Sequence, residues 1–161
     1  MTDQHRLTAR VVVASNRAAA GVYEDASGPI IVAWLRELDF EVDDPIVVPD
    51  GTPVVITLRA AVAAGVDVVV TSGGTGLTPT DRTPEATREV LDFEIPGIAE
   101  ALRAVSREKV PTSVLSRGVA GVAGHTLIVN LPGSTGGARD GRAVLAPILM
   151  HAVDQIRGGD H

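Results

Sequence analysis

Three short apolar runs, each leading into a polar or glycine-rich loop, constrain the fold of this chain more than any other feature. They are LTARVVVAS (7–15), VDVVVT (66–71) and HTLIVNL (125–131). A strand with one wet face alternates apolar and polar residues. These runs are apolar at consecutive positions, so both faces are covered, as in parallel strands between layers of helix. A further strand is read over 40–48, ended by Pro49-Asp50-Gly51. Helices fill the spaces between. One opens at Ser27-Gly28-Pro29, one at Thr52-Pro53 with Thr52 as side-chain cap, ending at Gly65, and one at Thr83-Pro84-Glu85. Another restarts at Pro96-Gly97 and runs to about Lys109, and a long C-terminal helix runs to about Arg157. The stretch 111–124 is irregular, with room for a short hairpin. Strands alternating with helices give βαβ units and an α/β fold with a mostly parallel sheet.

The side-chain palette agrees. Hydrophobic residues make up 45% of the 161 residues, but only Trp34, Tyr23, Phe40 and Phe93 are aromatic, so Val, Leu, Ile and Ala fill the core. That length fits one domain over 1–161. A net charge of −6 with a single lysine, Lys109, leaves no basic groove for nucleic acid. With no cysteine, disulfides, thiolate catalysis and cysteine-ligated metals are excluded. The first six residues carry no apolar signal region and no run is long enough to span a bilayer, so a soluble, cytoplasmic protein is expected. His5, His125, His151 and His161 show no metal-ligand spacing, and Ser134 lacks the G-x-S-x-G context of a nucleophile elbow.

In an open α/β sheet ligands bind beyond the carboxyl ends of the strands. The candidate segments are therefore Ser15-Asn16-Arg17, Pro49-Asp50-Gly51, the loop from Ser72 to Asp81, and the loop from Leu131 to Gly137. Gly73-Gly74-Thr75-Gly76 has three glycines in four residues, so its backbone N–H groups can turn inward around an anion, while Thr71, Ser72 and Thr75 add hydroxyls. A plain strand-to-helix turn would use the same glycines. The loop is not a Walker A sequence, because no Gly-Lys-Ser/Thr follows. Nor is it a dinucleotide fingerprint, because Pro79 stands where the third glycine belongs, which counts against a nicotinamide-dependent oxidoreductase.

Asp50 and Asp81 both lie just past strand ends. Two carboxylates beside bound phosphates suit Mg²⁺; taken singly, Asp50 fits a turn and Asp81 a helix N-terminus. Arg17, Arg82 and Arg117 fall in loops near the cleft, as bidentate phosphate contacts or as solvated surface charges. Arg36, Arg59, Arg88, Arg103 and Arg107 fall on helices facing water. Ser106 and Ser116 could donate to a ligand or serve as local caps.

Taken in order, these segments resemble the MoaB/Mog family of molybdenum-cofactor biosynthesis over nearly the whole chain. The resemblance rests on Gly73-Gly74-Thr75-Gly76, Asp81 and Thr83-Pro84-Glu85-Ala86-Thr87. Ser15-x-Arg17 with Gly21 and Asp25, Pro49-Asp50, Pro96-Gly97, Leu115-Ser116-Arg117 and Leu131-Pro132-Gly133 fall in register with it. The resemblance implies adenylylation of molybdopterin by Mg-ATP with release of pyrophosphate. It implies a three-layer α/β/α sandwich and a homotrimer, with a downstream molybdenum-insertion enzyme as possible partner. It assigns Asp50 and Asp81 to catalysis and to Mg²⁺, and Ser72, Gly73, Gly74, Thr75, Gly76, Pro132 and Gly133 to the nucleotide and its phosphates. Ser15, Arg17, Ser106, Ser116 and Arg117 it assigns to molybdopterin. One departure is Ser134-Thr135 after Leu-Pro-Gly, a form found in MoaB-type paralogues. It leaves a molybdopterin-binding protein without adenylyltransferase activity as the alternative.

Overall fold

The computed structural model describes residues 5–159. Residues 1–4 of the N-terminal segment, and His161, lie outside them. The order of elements is β1 (Thr8–Ala14), α1 (Asn16–Ala19), α2 (Ser27–Glu37), β2 (Glu41–Val42), β3 (Ile46–Val48), α3 (Thr52–Ala63), β4 (Val68–Ser72), α4 (Thr83–Val90) and β5 (Phe93–Glu94). It continues with α5 (Pro96–Ala104), a 3-10 turn (Pro111–Leu115), β6 (Ala120–Ala123), β7 (Thr126–Leu131), α6 (Thr135–Leu145) and α7 (Leu149–Ile156).

The strands form one sheet in the order β2-β1-β4-β7-β6-β5, with β3 also paired to β1. Strands β2, β3, β1, β4 and β7 are parallel; β6 and β5 are added antiparallel. Side chains alternate across the sheet as strand geometry requires. Val11, Val13, Val68, Val70, Leu127 and Val129 pack on one face against Ile31, Leu35, Ala138, Leu145 and Val153 from α2, α6 and α7. Val12, Val69 and Ile128 pack on the other against Val54, Leu58 and Ala86 from α3 and α4. This is the expected α/β/α sandwich. Its lone tryptophan, Trp34, is buried on the first face and donates its ring N–H to the Ala138 carbonyl, tying α2 to α6 at 3.0 Å.

From β1 the chain winds outward to β3, then crosses back to β4 on the opposite side of β1. The crevice between the carboxyl ends of β1 and β4 is therefore the switch point where such sheets hold ligands.

Several elements differ from the sequence-based expectation, each for a local reason. The strand over 40–48 is two strands, because Pro45 after Asp43-Asp44 has no N–H for the ladder. The C-terminal helix is two helices, because Pro147 cannot continue α6. Thr52 does not cap α3: the cap position is Gly51, at φ 93°. The helix from Pro96 stops at Ala104, where Ser113 Oγ donates to the Arg103 carbonyl in place of a continued helical turn. The hairpin joins β6 to β7 across Gly124-His125, so only its first strand lies in the 111–124 stretch. A one-turn helix, α1, replaces the loop after β1, with Ser15 Oγ accepting the Ala18 N–H as its cap.

Candidate functional site

The carboxyl ends of β1, β3, β4 and β7 converge on the 73–76 loop. Gly73 and Gly74 both sit at positive φ, 89° and 68°. Neither could be another residue without a collision. A Cβ on Gly73 would run into the Ala14 carbonyl at the end of β1; one on Gly74 would strike Thr83 Oγ1 and come within 2.5 Å of Asp50 Oδ1. The Gly73 N–H donates to the Leu131 carbonyl at 3.1 Å, and Thr83 N–H donates to the Gly74 carbonyl at 3.1 Å. The loop is thus held to β7 behind it and to the start of α4 in front.

The two acidic residues flank this loop. Asp50 follows β3, its N–H donating to Asn16 Oδ1 at 2.9 Å. Asp81 closes the far side, and a Cβ on Gly76 would come within 2.7 Å of its Oδ2. Asp81 Oδ2 accepts the Thr78 N–H at 3.1 Å. Asp50 Oδ1 and the hydroxyl of fully buried Thr83 have no hydrogen-bond partner, and both face the point directly above Gly74. Buried polar atoms are normally paired, so two orphans aimed at one spot mark a place built for something else to fill. Burial first, and then the negative charge of Asp81, raise the Asp50 pKa above its ordinary 3.8.

That shift carries a sign. Between 3.8 and its higher folded value Asp50 binds more protons folded than unfolded, so stability falls as pH rises through that window, and the cost persists above it. Asp50→Asn is expected to keep or raise Tm at pH 7, by about 1–3 °C, since the group is partly open to solvent. The difference should vanish below about pH 4. Calorimetric melting of both proteins across pH 3–8 checks it.

Two cavities meet the Pro132-Gly133 strap, which packs against Gly73, and only the smaller one reaches the loop itself. The smaller, about 160 Å³, lies over the switch point and is lined by Ser15, Tyr23, Asp25, Ser27, Ser72, Gly73 and Gly133. Here Ser72 Oγ lies 2.7 Å from Ser27 Oγ and donates to the Pro132 carbonyl at 3.3 Å, so it ties the strap to β4. The larger, about 350 Å³, is lined by Leu102, Arg103, Ser106, Ser116, Asn130, Pro132 and Asp140 among others. The fold therefore brings together Asp50 and Asp81, then Ser15 with Ser72, Gly73 and Gly133, then Ser106 with Ser116 and Pro132. Thr75 is buried between the two acids' sides of the loop.

Two arginines are placed otherwise than as free phosphate contacts. Arg17 is exposed on α1, its guanidinium 5.8 Å from the Tyr23 ring centroid. Arg117 is turned into the protein: it donates to the carbonyls of Gly76 and Asp81 and pairs with Glu85. Arg103, expected to face water, instead donates to the carbonyls of Ser116 and Gly118 and lines the larger cavity.

Sequence reasoning missed Thr83 and Asn130 as site residues. Asn130 is buried in β7, donates to Thr71 Oγ1 and Thr87 Oγ1, and accepts the Val119 N–H. An amide inside an otherwise apolar strand was its only signal. Among the described residues no group of three or more His, Cys, Asp or Glu could hold a metal. No helix among them is long and apolar enough to cross a membrane.

Known proteins that share this geometry agree on one lineage. Residues 10–151 match the family model described as a probable molybdopterin binding domain. A molybdenum cofactor biosynthesis bifunctional protein from Synechococcus elongatus is 36% identical over 95% of this chain and 48% of its own length. The chain thus spans about half of that relative. A molybdopterin adenylyltransferase from Helicobacter pylori is 38% identical over 92% of this chain and 86% of its own. The solved Mog protein of Mycobacterium ulcerans shares 59% identity and superposes with a TM-score of 0.90, covering 93% of this chain and 99% of that one. The family model and these relatives match the chain over most of its length, and the chain belongs to the MoaB/Mog family of molybdenum-cofactor biosynthesis.

Proposed function

We propose that this chain is a molybdopterin adenylyltransferase, transferring AMP from Mg-ATP to the terminal phosphate of molybdopterin and releasing pyrophosphate. The observation that carries this reading is the acid pair on either side of one phosphate-sized loop, with the partnerless Asp50 oxygen facing it. Mg²⁺ fits such a donor set: it takes hard oxygen ligands, is commonly held by one or two carboxylates with substrate phosphates, and does not need a third protein carboxylate. Asp50 and Asp81 would hold it, and it would neutralise charge on the triphosphate.

The chain's own part is placement. The 74–76 amides and the Thr83 hydroxyl receive phosphate oxygens, and the smaller cavity with Ser15 and Ser72 continues the nucleotide side. The larger cavity, with Ser106, Ser116 and Arg103, takes the pterin. The molybdopterin phosphate oxygen then attacks the α-phosphorus as the bond to the β-phosphate oxygen breaks, and no side-chain nucleophile is needed. Alignment and charge neutralisation supply the rate. The relatives named as adenylyltransferases support the reading. The Ser134-Thr135 departure does not oppose it, because Ser134 Oγ simply caps α6 by accepting the Gly137 N–H and touches neither acid. In this reading residues 1–161 act as one domain, in a homotrimer that passes its product to a molybdenum-insertion enzyme.

The test is direct. Incubated with molybdopterin and Mg-ATP, the protein is expected to yield equal amounts of adenylylated pterin and pyrophosphate. Tight pterin binding with neither product would instead assign it to the binding-only MoaB type.

A further inference from the structure

Arg117 sits between the two parts of the cleft. Its neighbours Ser116 and Gly118 line the larger cavity, and their carbonyls are held from below by Arg103. Its own groups all point the other way, into the acidic loop. The Arg117 N–H donates to the Thr75 carbonyl at 2.8 Å. Nε donates to the Gly76 carbonyl and Nη2 to the Asp81 carbonyl, each at 2.9 Å. Nη1 pairs with Glu85 in the first turn of α4. One side chain thus grips both ends of the exposed segment 77–80 and anchors itself to the helix that follows. Within that segment the turn is held by the Asp81 N–H to Thr78 carbonyl bond, the Thr78 N–H to Asp81 Oδ2 bond and a 3.4 Å contact between the Thr78 and Thr80 hydroxyls.

We infer that Arg117 is a positioning residue, a clamp that fixes the 76–81 loop so that the Asp81 carboxylate meets the cleft, and that it does not contact a ligand phosphate. A planar guanidinium with five donors in a fixed fork suits this task; an ammonium can satisfy only part of it. The geometry also explains why a cationic side chain beside an anion cleft is turned away from it: three of its N–H groups are held by two carbonyls and a carboxylate. The inference rests on the proposed function only in giving Asp81 a cation to hold.

The experiment compares wild type with Arg117→Gln, Arg117→Lys and Glu85→Gln. It reads amide hydrogen exchange without any ligand, and binding of Mg²⁺ with a non-hydrolysable ATP analogue and of molybdopterin separately. In Arg117→Gln the Thr78 and Asp81 amides are expected to exchange about tenfold faster, the loss of one or two hydrogen bonds holding a loop, while β7 amides keep their rates. Arg117→Lys and Glu85→Gln are expected to fall between. Half-saturating Mg²⁺ should rise about three- to tenfold, with the molybdopterin Kd within about twofold of wild type. Unchanged exchange in the 77–81 segment overturns the inference, as does a molybdopterin Kd weakened about tenfold or more with the loop amides unmoved, the signature of a lost phosphate contact. Should Arg117→Gln fail to fold, the other two variants give the same readings. The exchange result does not depend on turnover, so a protein that adenylylates nothing still decides this point.

Discussion

Asp81→Ala is expected to lower kcat for adenylylation about 10²- to 10³-fold while leaving the fold intact, the size of effect seen when one preorganised electrostatic group is removed from a reacting centre. The fold should survive because the Asp81 backbone carbonyl, which accepts from Arg117, keeps its hold on the loop when the carboxylate is removed. Only the Thr78 N–H loses an acceptor, and that residue is exposed to water. Asp50 also loses the like charge that raises its pKa, so part of the electrostatic cost at the site is relieved. The expected pattern is a near-wild-type Tm, a molybdopterin Kd within about twofold, and a turnover defect that excess Mg²⁺ restores only in part. Single-turnover rates with saturating substrates, beside melting curves, measure it. A rate within about threefold of wild type would remove Asp81 from the chemistry.

The second large effect falls on stability. Gly73→Ala is expected to cost about 3 kcal/mol, combining a left-handed backbone unsuited to a side chain with a Cβ driven into the Ala14 carbonyl. That carbonyl belongs to the end of β1 and cannot rotate away, so either the β1–β4 ladder opens at its Val13–Ser72 end or the loop shifts off Leu131. A drop in Tm of about 10 °C follows for a domain of this size. Gly51→Ala is the matched control: its φ is 93°, but a Cβ there meets nothing within 4 Å. It should cost only the backbone term, about 1–2 kcal/mol. Equal losses in the two variants would show that the close approach of the 73–76 loop to β1 contributes nothing.

Much of this molecule is legible in the linear order of its residues, for identifiable physical reasons. Consecutive apolar residues in 7–15, 66–71 and 125–131 fit strands covered on both faces, and once the sheet is parallel its loops must gather at one edge. That rule alone brought Asp50 and Asp81 to one cleft from distant positions in the chain. What stayed hidden depended on side chains finding each other across loops. Nothing in the linear order says that Arg117 reaches back to the carbonyls on either side of residues 77–80, or that the Thr83 hydroxyl, placed like a helix cap, is left without a partner beside Asp50. Two of the element boundaries that failed turned on single prolines. Pro45 interrupts a β-branched stretch and Pro147 an apolar helical pattern, and in both cases the periodicity continues past a residue that has no N–H to give.

The central claim is a single cleft in which both aspartates face a cation-bound triphosphate over the 73–76 loop. The most direct measurement is a crystal structure with Mg²⁺ and a non-hydrolysable ATP analogue. The expected density places phosphate oxygens on the 74–76 amides and the cation between Asp50 Oδ1 and Asp81. A nucleotide seated away from that loop, or a cation touching neither aspartate, would contradict it.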